Sequence, residues 1–346
     1  MRFAADRLER FASDVLTSLD VLPDHAAITG QRLIEADLRG RTGHGVIRLP
    51  QYVPRIEAGG INLRPTITAQ RESPVSALID GDNGLGQVVV TAVVETALRK
   101  AKALGMAWVG TARSNHAGAG GVYTDLAARE GLIAIYMAVA SANVMPPWGG
   151  QDRLLGTNPI AIAIPTGDEP TFHLDIATTV ASHGTIKTLA QAGEMMPEGW
   201  VLDDAGQPIT DPARASEGYL APIGGYKGSG LSMAFGFLAG VLNGAAFGAE
   251  VIDHRAIHDQ AANAGQALFV MKPDLFRDPV EFAGSMDEHI RALRASGPEG
   301  SVQLPGDRAA ELQAEQERLG IPVPPGLLAN LRKLADRFNL DDRLDD

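Results

Sequence analysis

Two spacings of apolar residues divide this chain. Apolar positions three and four apart recur over 3–36, with Pro23 and Asp24 placed to open a second helix, so two helices are predicted before Gly40. The run 75–80 reads as a strand, and the valine-rich stretch 87–104 as an amphipathic helix closed by Gly105. The densest patterning lies in 108–166. There a strand-like run ends at Gly110 and passes into Ser114-Asn115-His116, followed by a glycine-rich turn and a helix over 121–129 that Gly131 is placed to cap. A second strand over 132–140 enters Ser141-Ala142-Asn143, and a third over 160–165 follows Leu155-Gly156-Thr157-Asn158-Pro159. A further strand begins at His173 and enters a loop by Thr179, and helix 185–192, strand 266–271 and helix 285–295 follow in order. Two polar helices, 307–319 and 326–338, are separated by the breakers Gly320, Pro322, Pro324 and Pro325, and 340–346 is expected to fray. Strands interleaved with helices in the middle, and helices at both ends, predict an α/β chain. Its sheet domain spans 73–302, and a helical unit is made by 1–72 together with 303–346.

Composition narrows the partners. A length of 346 residues exceeds what one hydrophobic core usually serves, which fits two units. Lys and Arg total 30 against 42 Asp and Glu, a formal charge of −12. No basic surface is therefore expected for nucleic acid or an anionic membrane, and a small anionic substrate would need a local cationic pocket. With no cysteine, disulfides, thiolate catalysis and cysteine-ligated metals are excluded. The first residues carry charges on a helical period and form no apolar run, so no secretory signal is read and a cytoplasmic location is expected. One stretch pulls the other way: 228–249 is uncharged and long enough for a membrane span. Its glycines at 236, 240, 244 and 248 would line one helix face. With Asn243 in its middle, it is expected to be a buried helix packed on a sheet or on a second subunit.

Candidate chemistry is sparse but placed. No G-x-G-x-x-G, G-x-x-x-x-G-K-[ST] or G-x-S-x-G occurs, which leaves an ordinary Rossmann site, a P-loop and the commonest serine-hydrolase elbow unsupported. His254 and His258 stand four apart without a third ligand; they read as surface histidines, and no metal site is expected. His44 and His116 are candidate acid–base groups because imidazole titrates near neutrality, and their small neighbours predict exposed loop side chains. Arg48 offers a planar fork for a carboxylate, and Tyr52 either orients substrate or packs on the first helices. If the segment is helical throughout, His44, Arg48 and Tyr52 share a face; Pro50 instead lets a helix begin only near itself, leaving His44 and Arg48 in the turn before. Lys227, between Gly225 and Gly228, either meets an anion at a helix N-terminus or ends a buried helix at the surface.

The phrases SNHAGAGGVYTDLAAREG, PPWGG and LGTNPIAIAIP resemble the malate/L-lactate dehydrogenase family of the second, non-Rossmann type, and the resemblance runs over nearly the whole chain. That family includes ureidoglycolate, sulfolactate and diketogulonate dehydrogenases and reductases of cyclic imino acids such as piperideine-2-carboxylate. The resemblance implies a non-Rossmann, mixed-sheet NAD(P)-binding domain, hydride transfer between NAD or NADP and C2 of a small 2-hydroxy or 2-oxo acid, and a homodimer. It gives the proton to His44 of the HGxxR motif, with His116 of the SNH motif as rival. The cofactor would lie along Ser141, the loop Asp175-Ile176-Ala177-Thr178, Lys227 of GYKG and the turn Pro305-Gly306. For Asp175 the bland alternative is a cap on the following turn. Gly43 stands where the family frequently has serine, which sets the hydroxy-acid reading ahead of the imino-acid one.

Overall fold

The computed structural model describes residues 1–340 and Leu344, so most of the stretch expected to fray lies outside the described residues. β1 (Arg2–Phe3) leads into α1 (Ala5–Thr17) and α2 (Pro23–Leu38), with Pro23 in the first turn of α2. α1 buries Leu8, Phe11, Ala12, Val15 and Leu16, the one-sided stripe of an amphipathic helix. Two 3-10 turns, Thr42–His44 and Val46–Arg48, precede α3 (Leu49–Glu57). The edge strand β2 (Thr68–Glu72) and its neighbour β3 (Ser76–Asp80) follow, and α4 (Gly86–Leu104) carries the chain over to β4 (Met106–Ser114). Next come α5 (Gly120–Ala128), β5 (Ile133–Ala138), β6 (Ile160–Ile164) and β7 (Phe172–Ile176). After α6 (His183–Ala192), a small sheet is made by β8 (Val201–Leu202), β9 (Pro208–Ile209) and β10 (Tyr219–Leu220). The chain closes with α7 (Tyr226–Ala239), β11 (Ala264–Met271), α8 (Pro279–Arg294), α9 (Asp307–Leu319), β12 (Ile321–Pro322) and α10 (Pro325–Phe338).

The main sheet has seven strands in the order β2-β3-β4-β11-β5-β6-β7. Only β3 and β4, the pair joined through α4, run parallel; the other neighbours are antiparallel. The sheet is thus mixed and not doubly wound. β11 is inserted between β4 and β5 and buried along most of its length, which is why 267–271 read as a continuous apolar run. Side chains alternate across the strands: Tyr136 packs with Val90, Val94 and Tyr123 from α4 and α5, whereas its neighbour Met137 packs with Phe235 and Ala239 of α7. The largest core cluster gathers Phe11, Leu16, Leu33, Leu49 and Leu331, and β1 pairs with β12 through Arg2 opposite Pro322 and Phe3 opposite Ile321. That cluster also takes in Leu85 and Val88, so it is continuous with the start of α4.

The expectation for 228–249 is overturned. α7 ends at Ala239, Gly240 departs from helical geometry, and the 3-10 turn Val241–Asn243 is closed by Gly244 at φ 70°. Asn243 Nδ2 donates to Ala239 O at 2.8 Å and Gln266 O at 3.0 Å, which occupies a carbonyl at the helix end and ties it to β11. The four glycines therefore do not share a helix face. Leu231, Phe237 and Leu238 of α7 are exposed, so this helix is not buried all round. Among the described residues no helix is long and apolar enough to cross a membrane.

Candidate active site

The turn that carries His44 is held from behind. Asp37, at the end of α2, accepts the Val46 N–H at 2.7 Å, and a Cβ on Gly45 would come within 1.9 Å of the Asp37 carboxylate, so the residue after His44 must be glycine. Burial pushes the Asp37 carboxyl up to about 7 despite that hydrogen bond. Pro50 lies in the first turn of α3, which starts at Leu49; His44 and Arg48 accordingly sit in the 3-10 turns before it. Arg48 Nε donates to Gly43 O at 2.6 Å and Nη1 to Gln51 Oε1 at 2.8 Å. No hydrogen bond among the described residues engages its Nη2.

His116 arrives from the end of β4. Asn115 Nδ2 donates to Asn83 O, Asn83 Oδ1 and Gly84 O, while its Oδ1 accepts from Arg55. The buried Arg55 also donates to the carbonyls of Gly60, Ile257 and Gln260, which ties the Asn115 loop to the segment after His254. At Gly86, the first residue of α4, a Cβ would lie 2.4 Å from the Asn115 and His116 carbonyl oxygens, so only glycine lets this loop pass.

These contacts bring His44, Arg48, Tyr52 and His116 together. The rings of His44 and His116 stack at 5.4 Å, and the Tyr52 hydroxyl lies 2.8 Å from His116 Nδ1 and 2.7 Å from Gln87 Nε2. Both histidines are half-buried, against the expectation of exposed loop side chains, because each ring packs on the other. Burial, reinforced by Arg48 and Arg41, lowers the His44 imidazole to about 3, and burial with Arg48 and His44 holds His116 well below its usual range. Burial lifts the Tyr52 phenol to about 12. Tyr52 lies in the core cluster with Phe11 and Leu33 of the first two helices, and its hydroxyl faces His116.

His254 corrects a second expectation. It is buried, lies in a turn and not on a helix, and its ring centre is 5.5 Å from that of His116. The pair with His258 misled because spacing four apart carries meaning only on a helix. Among the described residues no group of three metal-binding side chains is found.

Asp175 does not cap the turn that follows it. Its carboxylate accepts the Gly121 N–H at 3.2 Å, at the start of α5, and lies 3.7 Å from Arg41 Nε. Beside it His173 Nδ1 is 2.9 Å from Arg39 Nη1 and its Nε2 3.0 Å from Thr124 Oγ1, and Arg39 pairs with Asp125. A small cleft opens between Arg41, His173 and Asp175. Pro305 O accepts from His173 N at 2.9 Å, and Gly306 (φ 108°) passes so close to the chain that a Cβ would meet Thr171 O at 2.8 Å. Arg41 also supplies the carbonyl that accepts the His44 N–H, at 2.8 Å, so this cleft adjoins the histidine pair.

The remaining cofactor candidates form a third group. Ile176 is exposed, Ala177 half-buried and Thr178 buried, with Thr178 O accepting from Ile223 N at 2.9 Å. Ser141 follows Ala140, whose N–H donates to Asn158 Oδ1, and Asn158 Nδ2 donates to Ser232 O of α7. Gly224 and Gly225 hold φ of 58° and 64° just before Lys227, which is exposed in the first turn of α7 and makes no hydrogen bond or ion pair among the described residues. Lys227 does not join the histidine cluster. The residues fit a dinucleotide: a helix N-terminus with an uncommitted lysine suits phosphate, and the buried Asn143 Oδ1 beside Ser141 is an acceptor without a partner.

Sequence reasoning passed over Gln87, Asp37 and Arg55. None carries a motif, and their roles arise from partners distant in the chain.

The malate/L-lactate dehydrogenase family matches residues 3–332. The L-sulfolactate dehydrogenase of Methanocaldococcus jannaschii is 36% identical over 330 residues, 95% of this chain and 94% of that protein. The solved structure of sulfolactate dehydrogenase from that organism superposes with a TM-score of 0.90 at 34% identity, covering 99% of this chain and 98% of the other. The ureidoglycolate dehydrogenase (NAD(+)) of Escherichia coli O157:H7 is 34% identical over 93% of each chain. The delta1-piperideine-2-carboxylate reductase from Pseudomonas syringae superposes with a TM-score of 0.87 at 27% identity, covering 97% and 100%.

Proposed function

This chain belongs to the malate/L-lactate dehydrogenase family and is an NAD(P)-dependent dehydrogenase, and from that premise we propose that its reaction interconverts a small 2-hydroxy acid and the corresponding 2-oxo acid. The observation that carries the reading is the Arg48 guanidinium beside the stacked His44 and His116. Arg48, with Nη2 open, binds the substrate carboxylate by a charge-assisted hydrogen bond and sets C2 toward the imidazoles. His44 and His116 handle the proton of the C2 oxygen: they donate toward it as negative charge develops in reduction, and take it up in oxidation. NAD or NADP, when bound, supplies or accepts the hydride. Lys227 with the Gly224–Gly225 backbone would hold cofactor phosphate; Ser141, Asp175, Ile176, Ala177, Thr178, Pro305 and Gly306 would line the rest of its path.

The 1–72 segment with 303–346 is read as the helical unit that caps the 73–302 sheet domain, supported by the β1–β12 pairing. The protein is read as a cytoplasmic homodimer, and the exposed Leu231, Phe237 and Leu238 on α7 support a subunit contact.

Coenzyme oxidation measured on a panel of 2-oxo acids tests the reaction, with His44→Ala and His116→Ala beside the wild type. Turnover unchanged in either variant removes that histidine from the mechanism. A second reading, reduction of a cyclic 2-imino acid, is favoured by the likeness to the piperideine-2-carboxylate reductase. Activity on piperideine- or pyrroline-2-carboxylate without activity on 2-oxo acids would establish it.

A further inference from the structure

Two polar side chains stand behind the histidine pair. Gln87 is 0% exposed in the first turn of α4 and Tyr52 is 3% exposed on α3, and the tyrosine oxygen sits between Gln87 Nε2 and His116 Nδ1. An amide nitrogen only donates, so the Tyr52 oxygen accepts from Gln87 and keeps its own proton for His116 Nδ1. In this setting Gln87 Oε1 is a buried acceptor without a partner; turning the amide over would bury an unpaired N–H instead, and orphan donors are the rarer and costlier of the two. His116 Nδ1 is therefore an acceptor, and the neutral ring carries its hydrogen on Nε2. No hydrogen bond among the described residues engages that Nε2, and, unlike His44 Nδ1, it is not sealed from solvent.

We propose that Gln87 and Tyr52 are positioning residues that fix His116 as an Nε2–H donor, and that the proton reaching the C2 oxygen through His116 is replaced on the ring by the proton of Tyr52. The proposal rests on the 2-oxo acid reading given above. As C2 accepts hydride, the His116 Nε2–H bond breaks and an O–H bond forms on the substrate. At the other side of the ring the Tyr52 O–H bond breaks and an N–H bond forms at His116 Nδ1. The imidazole ends neutral in its other tautomer. The negative charge rests on the Tyr52 oxygen, where burial opposes it and the Gln87 N–H and the nearby Arg48 cation partly offset that cost, until a solvent proton taken up at His116 Nε2 returns the Nδ1 proton to Tyr52. Such a relay spares a desolvated ring beside Arg48 and His44 from holding a net positive charge.

Nitrogen-15 NMR of histidine-labelled protein reads the tautomer directly and needs no turnover. The wild type is expected to show His116 protonated at Nε2, and Tyr52→Phe and Gln87→Leu to shift the ring toward a tautomer mixture. An Nδ1–H ring in the wild type overturns the proposal. With the best 2-oxo acid of the panel, Tyr52→Phe is expected to lower kcat by about 100-fold or more with KM changed by less than about threefold. A kcat within about twofold of wild type overturns the relay, and a loss confined to KM assigns Tyr52 to substrate contact instead. The same spectra report whether each variant is folded. Should the wild type turn over no 2-oxo acid, the functional reading fails, and the spectrum still decides the tautomer.

Discussion

The imidazoles of His44 and His116 lie stacked, 15° from parallel, although one comes from a 3-10 turn and the other from the end of a strand. Protonating either ring would set a cation against its neighbour and near Arg48, so the pair stays neutral. The pH dependence of kcat/KM should therefore lack an inflection near the ordinary imidazole value of about 6.5. Rates on the preferred substrate across that range check it; a one-proton step there would mean that one ring titrates normally.

Stability should fall on the acid side for the same reason. His44 is lowered to about 3, and His173 and His254 to about 4, each chiefly by burial. Below the ordinary histidine value the unfolded chain takes up protons that these folded rings refuse, so stability drops as pH falls toward the folded values. Each ring contributes a slope of about 1.4 kcal/mol per pH unit. Urea midpoints of His254→Gln should decline less steeply than those of the wild type, by about one proton's worth; parallel curves would contradict this.

Asp37 works in the opposite sense. Its folded carboxyl is raised to about 7, so the stability it contributes is present below the unfolded carboxylate value and is lost as pH rises through about 7. Asn can still accept the Val46 N–H, so Asp37→Asn should melt above the wild type at alkaline pH, with the gap closing toward pH ~4 and reaching on the order of a few kcal/mol. Thermal melts at several pH values decide the point.

Removing the fork at Arg48 should cost binding more than chemistry. Arg48→Met is expected to lower kcat/KM roughly 10- to 100-fold, mostly through KM, as for loss of a charged hydrogen bond worth about 1.5–3 kcal/mol. Arg48→Lys should recover only part of it, because an ammonium lacks the planar donor pair. Equal affinity in Arg48→Met would place the carboxylate elsewhere.

At Gly43 an added Cβ would meet no atom within 4 Å, so Gly43→Ser should fold with stability within about 0.5 kcal/mol of wild type. If a hydroxyl at that position serves imine reduction, the variant should gain activity on piperideine-2-carboxylate relative to 2-oxo acids. An unchanged ratio would show that the hydroxyl does not select between them.

Much of the fold was legible because its signals are local. The valines of α4, the closing Gly105 and the breakers around Pro322 act within a turn or two of themselves, so α4, α9 and α10 fall within a residue of their predicted bounds. The same holds for His44, Arg48, Tyr52 and His116, which stand out by residue type and motif. The order of the sheet, with β11 threaded between β4 and β5, has no such local mark. The 228–249 stretch shows where local pattern fails: hydropathy extended the helix, whereas Asn243, bonding Ala239 and Gln266, ended it.

By itself, then, the sequence determined which segments become helices and strands and which side chains have chemistry to offer, since periodicity and functional groups belong to the residues themselves. Tertiary structure alone decided that His254 is buried against His116, that Gln87 backs Tyr52, and that Asp37 holds the turn of His44. Burial and hydrogen-bond partnership are relations between distant parts of a chain, and they exist only once it has folded.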